Sequence, residues 1–466
     1  MHKLKAPDIS YRAIARLATP LWIANVCIIG GGTIDTILAG HMGSEELAAV
    51  ALGAASMSCV FLGLAGVLNG LSPIVGHHYG ARRLSEIGHE LAQSLWLAVA
   101  LSIIGMVILG NTWIWTGLSQ VTGHVKDVAE VFLVVSVFGI PAVLFSRSFV
   151  SVFSAVSKPK ITMYVSVATL ALKAPLDALF MYGAGPVPAY GGAGAAISST
   201  ILVWSGLVVY ALAWKKDAFY AAMHAGAFCL PQWKRMREQL RIGVPIGLST
   251  FFETSSFAFM AVFIGRLGPV MLSAHQIVGN ITALCFMVPL SIGITSSVLV
   301  AQSLGARHPE SAYVAMVRTL KATTAIALVV CSVLYFGQET IFAIFTDEPT
   351  VAQAAAPLLL FGIFYHVFDC LQGVSGFALR GYRVTFIPMV IYGFFLWGVG
   401  LFSGYYFAFS AEWLGGPYGA SGFWAMTSVS LFIVGVLLLS YALWIGRNRI
   451  REAERVRAQA LGEDGD

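Results

Sequence analysis

Stretches of about 20 residues or more, nearly free of charge, follow one another along this chain with only short polar connections between them. Twelve can be counted, near residues 13–39, 47–77, 89–110, 127–155, 160–183, 190–214, 238–265, 270–302, 312–336, 350–378, 384–409 and 417–446. About 20 helical residues cross a hydrocarbon layer roughly 30 Å thick. No water inside that layer can satisfy a peptide group, so segments of this length must be helices that bond their own backbone. Composition agrees: the 466 residues are 58% hydrophobic and only 11% charged, where a soluble domain carries about 25% charged residues. The expectation is an all-α integral membrane protein with twelve transmembrane helices. The first apolar run holds Asp35 and has no small-residue cleavage site, so it reads as a retained helix and not a signal peptide. The six cysteines are scattered without a CxxC pair, which argues against a disulfide framework or a zinc site.

The formal charge of +5 is not a nucleic-acid signal, because of where the basic residues sit. All but four of the 28 lysines and arginines fall in the N-terminal arm (Lys3, Lys5, Arg12, Arg16), in alternate loops, or in the tail beyond residue 446. The opposite loops hold only Lys126 and Arg266, while Arg147 and Lys173 lie within apolar segments. A split this lopsided orients the chain with both termini in the cytoplasm.

The sequence also contains itself twice. "TPLWIAN" at 19–25 parallels "VPIGLST" at 244–250, with Pro20 matching Pro245 at an offset of 225. The same offset pairs Gly40 and Gly43 with Gly265 and Gly268, and "GAR" at 80–82 with "GAR" at 305–307. "FGI" at 138–140 matches 361–363, and "YGGAG" at 190–194 matches "YGASG" at 418–422. The expected organisation is a six-helix bundle over 1–214, a basic cytoplasmic linker over 215–237, a second six-helix bundle over 238–446 and a cytoplasmic tail over 447–466. An even number of spans per half makes the repeats parallel. Two pseudo-symmetric bundles facing across a cleft would give alternating access by rocking, which points to a transporter. A single chain that carries both halves is expected to act as a monomer.

Against this apolar background a few acids stand out. An ionised carboxylate at mid-membrane costs about 2.5–3.5 kcal/mol on insertion scales. It must therefore face a cavity, be paired, or be protonated. Glu253 lies eight residues beyond Pro245, and Asp369 eleven residues before Arg380, so both sit at depth. Thr250, Thr254 and Ser256 offer oxygens near Glu253, and Tyr365 precedes Asp369 by four residues on one helix face. Two carboxylates with hydroxyls and carbonyls suit a hard cation such as Na⁺, and either acid could carry H⁺ if desolvated. Asp35 is the corresponding acid of the first half. In "LALKAPLDALF", Lys173 precedes Asp177 by four residues, with Pro175 between them. That spacing forms a pair on one helix face; Asp35 is the other acid expected in this bundle, and Lys173 is expected to lie close to at least one of the two.

At these residues the chain resembles the MATE (multidrug and toxic compound extrusion) transporters. The likeness is carried by "IDTILAGHMGSEELAAVALG", "VGHHYGARRLSE", "RSFVSVFSAVSKPKITMYV" and "FALRGYRVTFIPMV", and spans the whole chain. Asp35, Glu253 and Asp369 are most similar to the bacterial NorM-type branch. The resemblance implies a cation site at Glu253 and Asp369 in the second bundle, with Asp35 serving the first. It implies export of organic cations and amphipathic drugs across the bacterial plasma membrane, in exchange for Na⁺ or H⁺, with no cofactor. Lys173 departs from the branch, where a neutral amide is often found, and a fixed positive charge there disfavours a Na⁺ site in the first bundle.

Two other functions compete. A flippase of a lipid-linked saccharide would favour a more basic cleft than these acids provide. An intramembrane enzyme would need a metal or nucleophile constellation, and neither HExxH nor a zinc-like spacing is present. No GxxxxGK[ST] motif occurs, so an ion gradient and not a nucleotide must drive transport. Membrane lipid and a small amphipathic substrate are the expected partners, with no nucleic acid.

Overall fold

The computed structural model describes residues 6–119, 121–224, 229–410 and 412–463. Lys3, Lys5, residues 225–228 of the expected linker and the last three residues of the tail lie outside the described residues. The described chain is helical, with no β-pairing beyond a single bridge between Ala184 and Val187. Twelve helices are long and apolar enough to cross a membrane. They are α1 Tyr11–Met42, α2 Ser44–Gly80, α3 Leu84–Gly110, α4 Gly123–Ala155, α5 Lys160–Tyr182 and α6 Gly191–Lys216, then α7 Trp233–Leu267, α8 Pro269–Gly305, α9 Pro309–Phe336, α10 Pro349–Gly381, α11 Phe386–Phe409 and α12 Gly419–Gln459.

The duplication is visible in the backbone. Gly43 and Gly268 take positive φ of 138° and 101° at matching points. Arg82 and Arg307 end α2 and α8 in the left-handed region, with φ of 59° and 63°. Ser157 and Arg383 do the same after α4 and α10, at 62° and 61°. In each case the following N–H reaches back to a carbonyl of the last turn. Arg83 bonds His78 at 2.9 Å, His308 bonds Ser303 at 2.9 Å, Lys158 bonds Phe153 at 2.8 Å and Val384 bonds Leu379 at 2.9 Å. These closures satisfy carbonyls the helix leaves open.

Two compact units form. One holds Thr19–Tyr79 and Arg83–Gly247; the other holds the residues up to Ala18, Gly80–Arg82 and those from Leu248 onward. Apart from the short Gly80–Arg82 stretch, the dividing points fall inside α1 and α7, each within two residues of the matching prolines Pro20 and Pro245. A proline lacks the N–H that would bond the preceding turn, so a helix can change its packing partners there.

In the first unit α4 packs against α2, α3 and α6. Its core gathers Leu68, Leu97, Leu133 and Leu144, beside a second cluster of Phe153, Tyr210, Trp214 and Tyr220. The opening turns of α7 are tied to α3: Arg235 contacts Glu86 at 2.8 Å and the buried Glu90 at 2.7 Å, and Gln239 donates to the other Glu90 oxygen at 2.8 Å. In the second unit α10 packs on α8, α9 and α12. The central part of α11, Gly393–Phe402, is π-helical. Serine hydroxyls from neighbouring helices donate to its carbonyls: Ser256 to Leu396 at 3.2 Å and Ser430 to Phe395 at 2.7 Å.

Within the first unit α2 and α7 touch backbone to backbone. Gly66 and Gly70 face Gly243 and Gly247, two small-xxx-small pairs of the kind that lets membrane helices approach closely. A Cβ built on Gly243 would sit 1.9 Å from the Val67 carbonyl oxygen. Gly243→Ala is therefore expected to cost about 1–3 kcal/mol of overpacking, seen as a lower thermal midpoint in detergent. Gly31→Ala, where nothing lies within 4 Å, serves as the control and should leave the midpoint unchanged or slightly raised.

Candidate functional site

Each unit buries a group of ionisable side chains. In the first unit the group centres on Lys173 of α5, which is 4% exposed, and Asp177, which is fully buried. Their spacing of one helical turn puts both on one face, with the Lys173 ammonium 2.9 Å from Asp177 Oδ1. The fold adds Asp35 of α1, whose Oδ1 lies 2.6 Å from the same ammonium. Ser199 and Ser198 of α6 accept at 2.7 and 3.2 Å, and the Ala195 carbonyl at 3.3 Å. An ammonium has three N–H donors, so these oxygens saturate it. Ser198 also donates to Asp177 Oδ1. Asp177 Oδ2 is buried with no hydrogen-bond partner among the described residues. One amine thus faces two acids.

The second unit solves the same problem with a neutral group. Glu253 of α7 and Asp369 of α10 are both joined to Gln372, one turn beyond Asp369 on α10. The Gln372 amide nitrogen donates to Glu253 Oε1 at 3.1 Å and to Asp369 Oδ1 at 2.9 Å. Its carbonyl oxygen accepts from the Tyr392 hydroxyl of α11. Gln372 is 1% and Asp369 5% exposed, while Glu253 is half-buried. Tyr365 stands within electrostatic reach of both acids, with its ring against Trp424. Arg380, at the end of α10, is within electrostatic reach of Glu253, but its guanidinium rests 4.0 Å from the centre of the Phe377 ring. Among the described residues no ion pair joins it to either acid.

The structure therefore gathers Glu253 and Asp369 with Tyr365 nearby, and separately Asp35, Lys173 and Asp177. It does not bring Thr254 to the acids. That residue is exposed, and its hydroxyl donates to the Thr250 carbonyl at 2.8 Å, the back-bond a threonine makes within its own helix. Ser256 likewise turns to Leu396. His366 faces Cys370, with Nε2 3.6 Å from its sulfur, and makes no hydrogen bond to Asp369 among the described residues. His275 packs beside the rings of Phe257 and Trp424, which also touch each other. Sequence reasoning missed Gln372 and Tyr392. Gln372 follows Asp369 by three residues, a helical spacing that could have flagged it, but an uncharged amide raised no alarm. Tyr392 is contributed by another helix and carried no local signal. Among the described residues no group of three or more histidine, cysteine or acidic side chains is arranged to hold a metal ion.

A polytopic protein of two repeats with acids set in each has the make-up of a membrane transporter. The MatE family model matches residues 20–179 and again 245–406, so each repeat is matched once. The chain is 34% identical to the "Probable multidrug resistance protein NorM" of Aromatoleum aromaticum, over 97% of this chain and 98% of that one. It is 30% identical to the "Multidrug resistance protein NorM" of Vibrio parahaemolyticus, over 96% and 97%. The chain belongs to the MATE family and is a transporter, not an enzyme. Its fold matches the crystal structure of the eukaryotic MATE transporter AtDTX14 with a TM-score of 0.84, at 19% identity over 95% of this chain and 98% of that one. It matches a MOP superfamily transporter from Pyrococcus furiosus with the same TM-score of 0.84, at 18% identity over 95% and 96%.

Proposed function

We propose that the protein is a secondary multidrug efflux antiporter that exports organic cations and amphipathic drugs in exchange for Na⁺ or H⁺ by alternating access. The observation that carries this reading is the pair Glu253 and Asp369, two acids with no bonded counter-charge on one buried glutamine. Carboxylates left in this state within a membrane-spanning bundle attract a cation or a proton. The names of the bacterial relatives, both multidrug resistance proteins, support the drug class. The protein works in the bacterial plasma membrane as a monomer. In proteoliposomes, a cationic dye should be exported when a Na⁺ or a pH gradient is imposed separately, and the active gradient identifies the ion. Glu253→Gln and Asp369→Asn should each abolish ion-driven efflux while the protein remains folded and inserted. Full efflux by both variants would remove the proposed role.

The first unit plays a different part in this reading. Lys173 holds Asp35 and Asp177 as a charge latch, and protonation of Asp35 would release it. Lys173→Ala is expected to change the pH profile of transport more than its Na⁺ dependence, with Lys173→Arg keeping the charge as the control. An unchanged profile in Lys173→Ala would leave the lysine a packing element only.

Both termini face the cytoplasm in this proposal, as the distribution of basic residues supports. Single cysteines in a cysteine-free background should label from outside within 182–192 and from the cytoplasm within 215–237. The reverse pattern would overturn the orientation.

A further inference from the structure

We infer that Gln372 is a built-in competitor of the coupling cation, a place-holder whose amide must withdraw before the ion can sit between Glu253 and Asp369. This rests on the reading of those two acids as the coupling site.

The chemistry of the carboxamide carries the argument. It offers two N–H donors on one side and a carbonyl acceptor on the other. Ionised carboxylates only accept. With Glu253 Oε1 at 3.1 Å and Asp369 Oδ1 at 2.9 Å from the same amide nitrogen, the opposite orientation would press the carbonyl oxygen against two carboxylate oxygens. On the far side Tyr392 donates to that carbonyl, so the amide is held from both ends. Tyr392 reaches it because Gly376, one turn beyond Gln372, has no side chain: a Cβ there would lie 2.9 Å from the tyrosine hydroxyl. Tyr392 is itself buried at 4% exposure and immediately precedes the π-helical stretch of α11.

A hard cation takes oxygen ligands at about 2.3–2.6 Å, and the partial positive charge of an NH₂ group repels it. A cation placed between the two acids therefore competes with the amide for Glu253 Oε1 and Asp369 Oδ1. While Tyr392 pins its carbonyl, Gln372 cannot turn that oxygen toward the ion. The emptied site is then a defined state, with both acids held by hydrogen bonds, and ion release has an internal replacement ready. Gln372 is a positioning and affinity-setting residue of the exchange cycle.

The test measures Na⁺ binding by isothermal titration of the purified transporter in detergent. Gln372→Met keeps the length of the side chain and removes its donors, and Gln372→Ala is the second variant should the first misfold. Either should bind Na⁺ roughly tenfold more tightly than wild type, as expected when hydrogen bonds to charged groups no longer compete. Both should lose thermal stability in Na⁺-free buffer and regain it on Na⁺ addition, which a merely structural role would not produce. Tyr392→Phe and Gly376→Ala should give smaller shifts in the same direction by releasing the amide. Unchanged or weaker Na⁺ binding in the Gln372 variants overturns the inference, as does absence of Na⁺ binding in wild type and Gln372→Met alike. Na⁺ binding that survives in both Glu253→Gln and Asp369→Asn overturns instead the reading of the two acids.

Discussion

A charged side chain taken out of water has to be answered by fixed partners, and that constraint shapes both buried groups of this transporter. In the first unit the answer is an ammonium. Lys173 meets Asp35 at 2.6 Å and Asp177 at 2.9 Å and spends its remaining capacity on serine oxygens and a carbonyl. In the second unit the answer is an amide, which donates to Glu253 and Asp369 but brings no charge. Two copies of one repeat have thus reached opposite electrostatic solutions. The first sets an amine between its two acids, and the second sets a neutral amide there.

The scaffold around these groups depends on another constraint of the bilayer. With lipid outside, helices gain little from burying apolar surface against each other, and close packing decides which ones associate. Gly66 and Gly70 against Gly243 and Gly247 give such packing, and the Arg235, Glu86, Glu90 and Gln239 network secures the start of α7 to α3. From Leu248 onward the same helix belongs to the other unit and carries Glu253. The prolines beside the two dividing points occupy matching places in the repeats, so the change of partner is a property of the repeat itself and not of one helix.

Much of this was legible from residues alone because it is local or periodic. Lengths of apolar runs give the helices, since each must satisfy its own backbone. The recurring offset near 225 gives the two halves, and the paired left-handed residues show that the copies kept their local geometry. The Lys173–Asp177 contact follows from a one-turn spacing. Thr254 illustrates the limit of that reasoning. Nearness to Glu253 in sequence made it a candidate ligand, yet a helical threonine finds an acceptor in its own preceding turn.

The sequence by itself determined the membrane-spanning all-α class, the duplication, and which ionisable residues had to be buried. Those follow from hydropathy, helical periodicity and the cost of charge in hydrocarbon, none of which needs to know which helix lies beside which. Only the tertiary structure decided the partners. Asp35 reaches Lys173 across more than a hundred residues of chain, and Glu253 of α7 meets Asp369 of α10 through the amide of Gln372, whose carbonyl is held in turn by Tyr392 of α11. Hydrogen bonds act over about 3 Å, and no pattern along the chain specifies which side chains helix packing will bring within that distance.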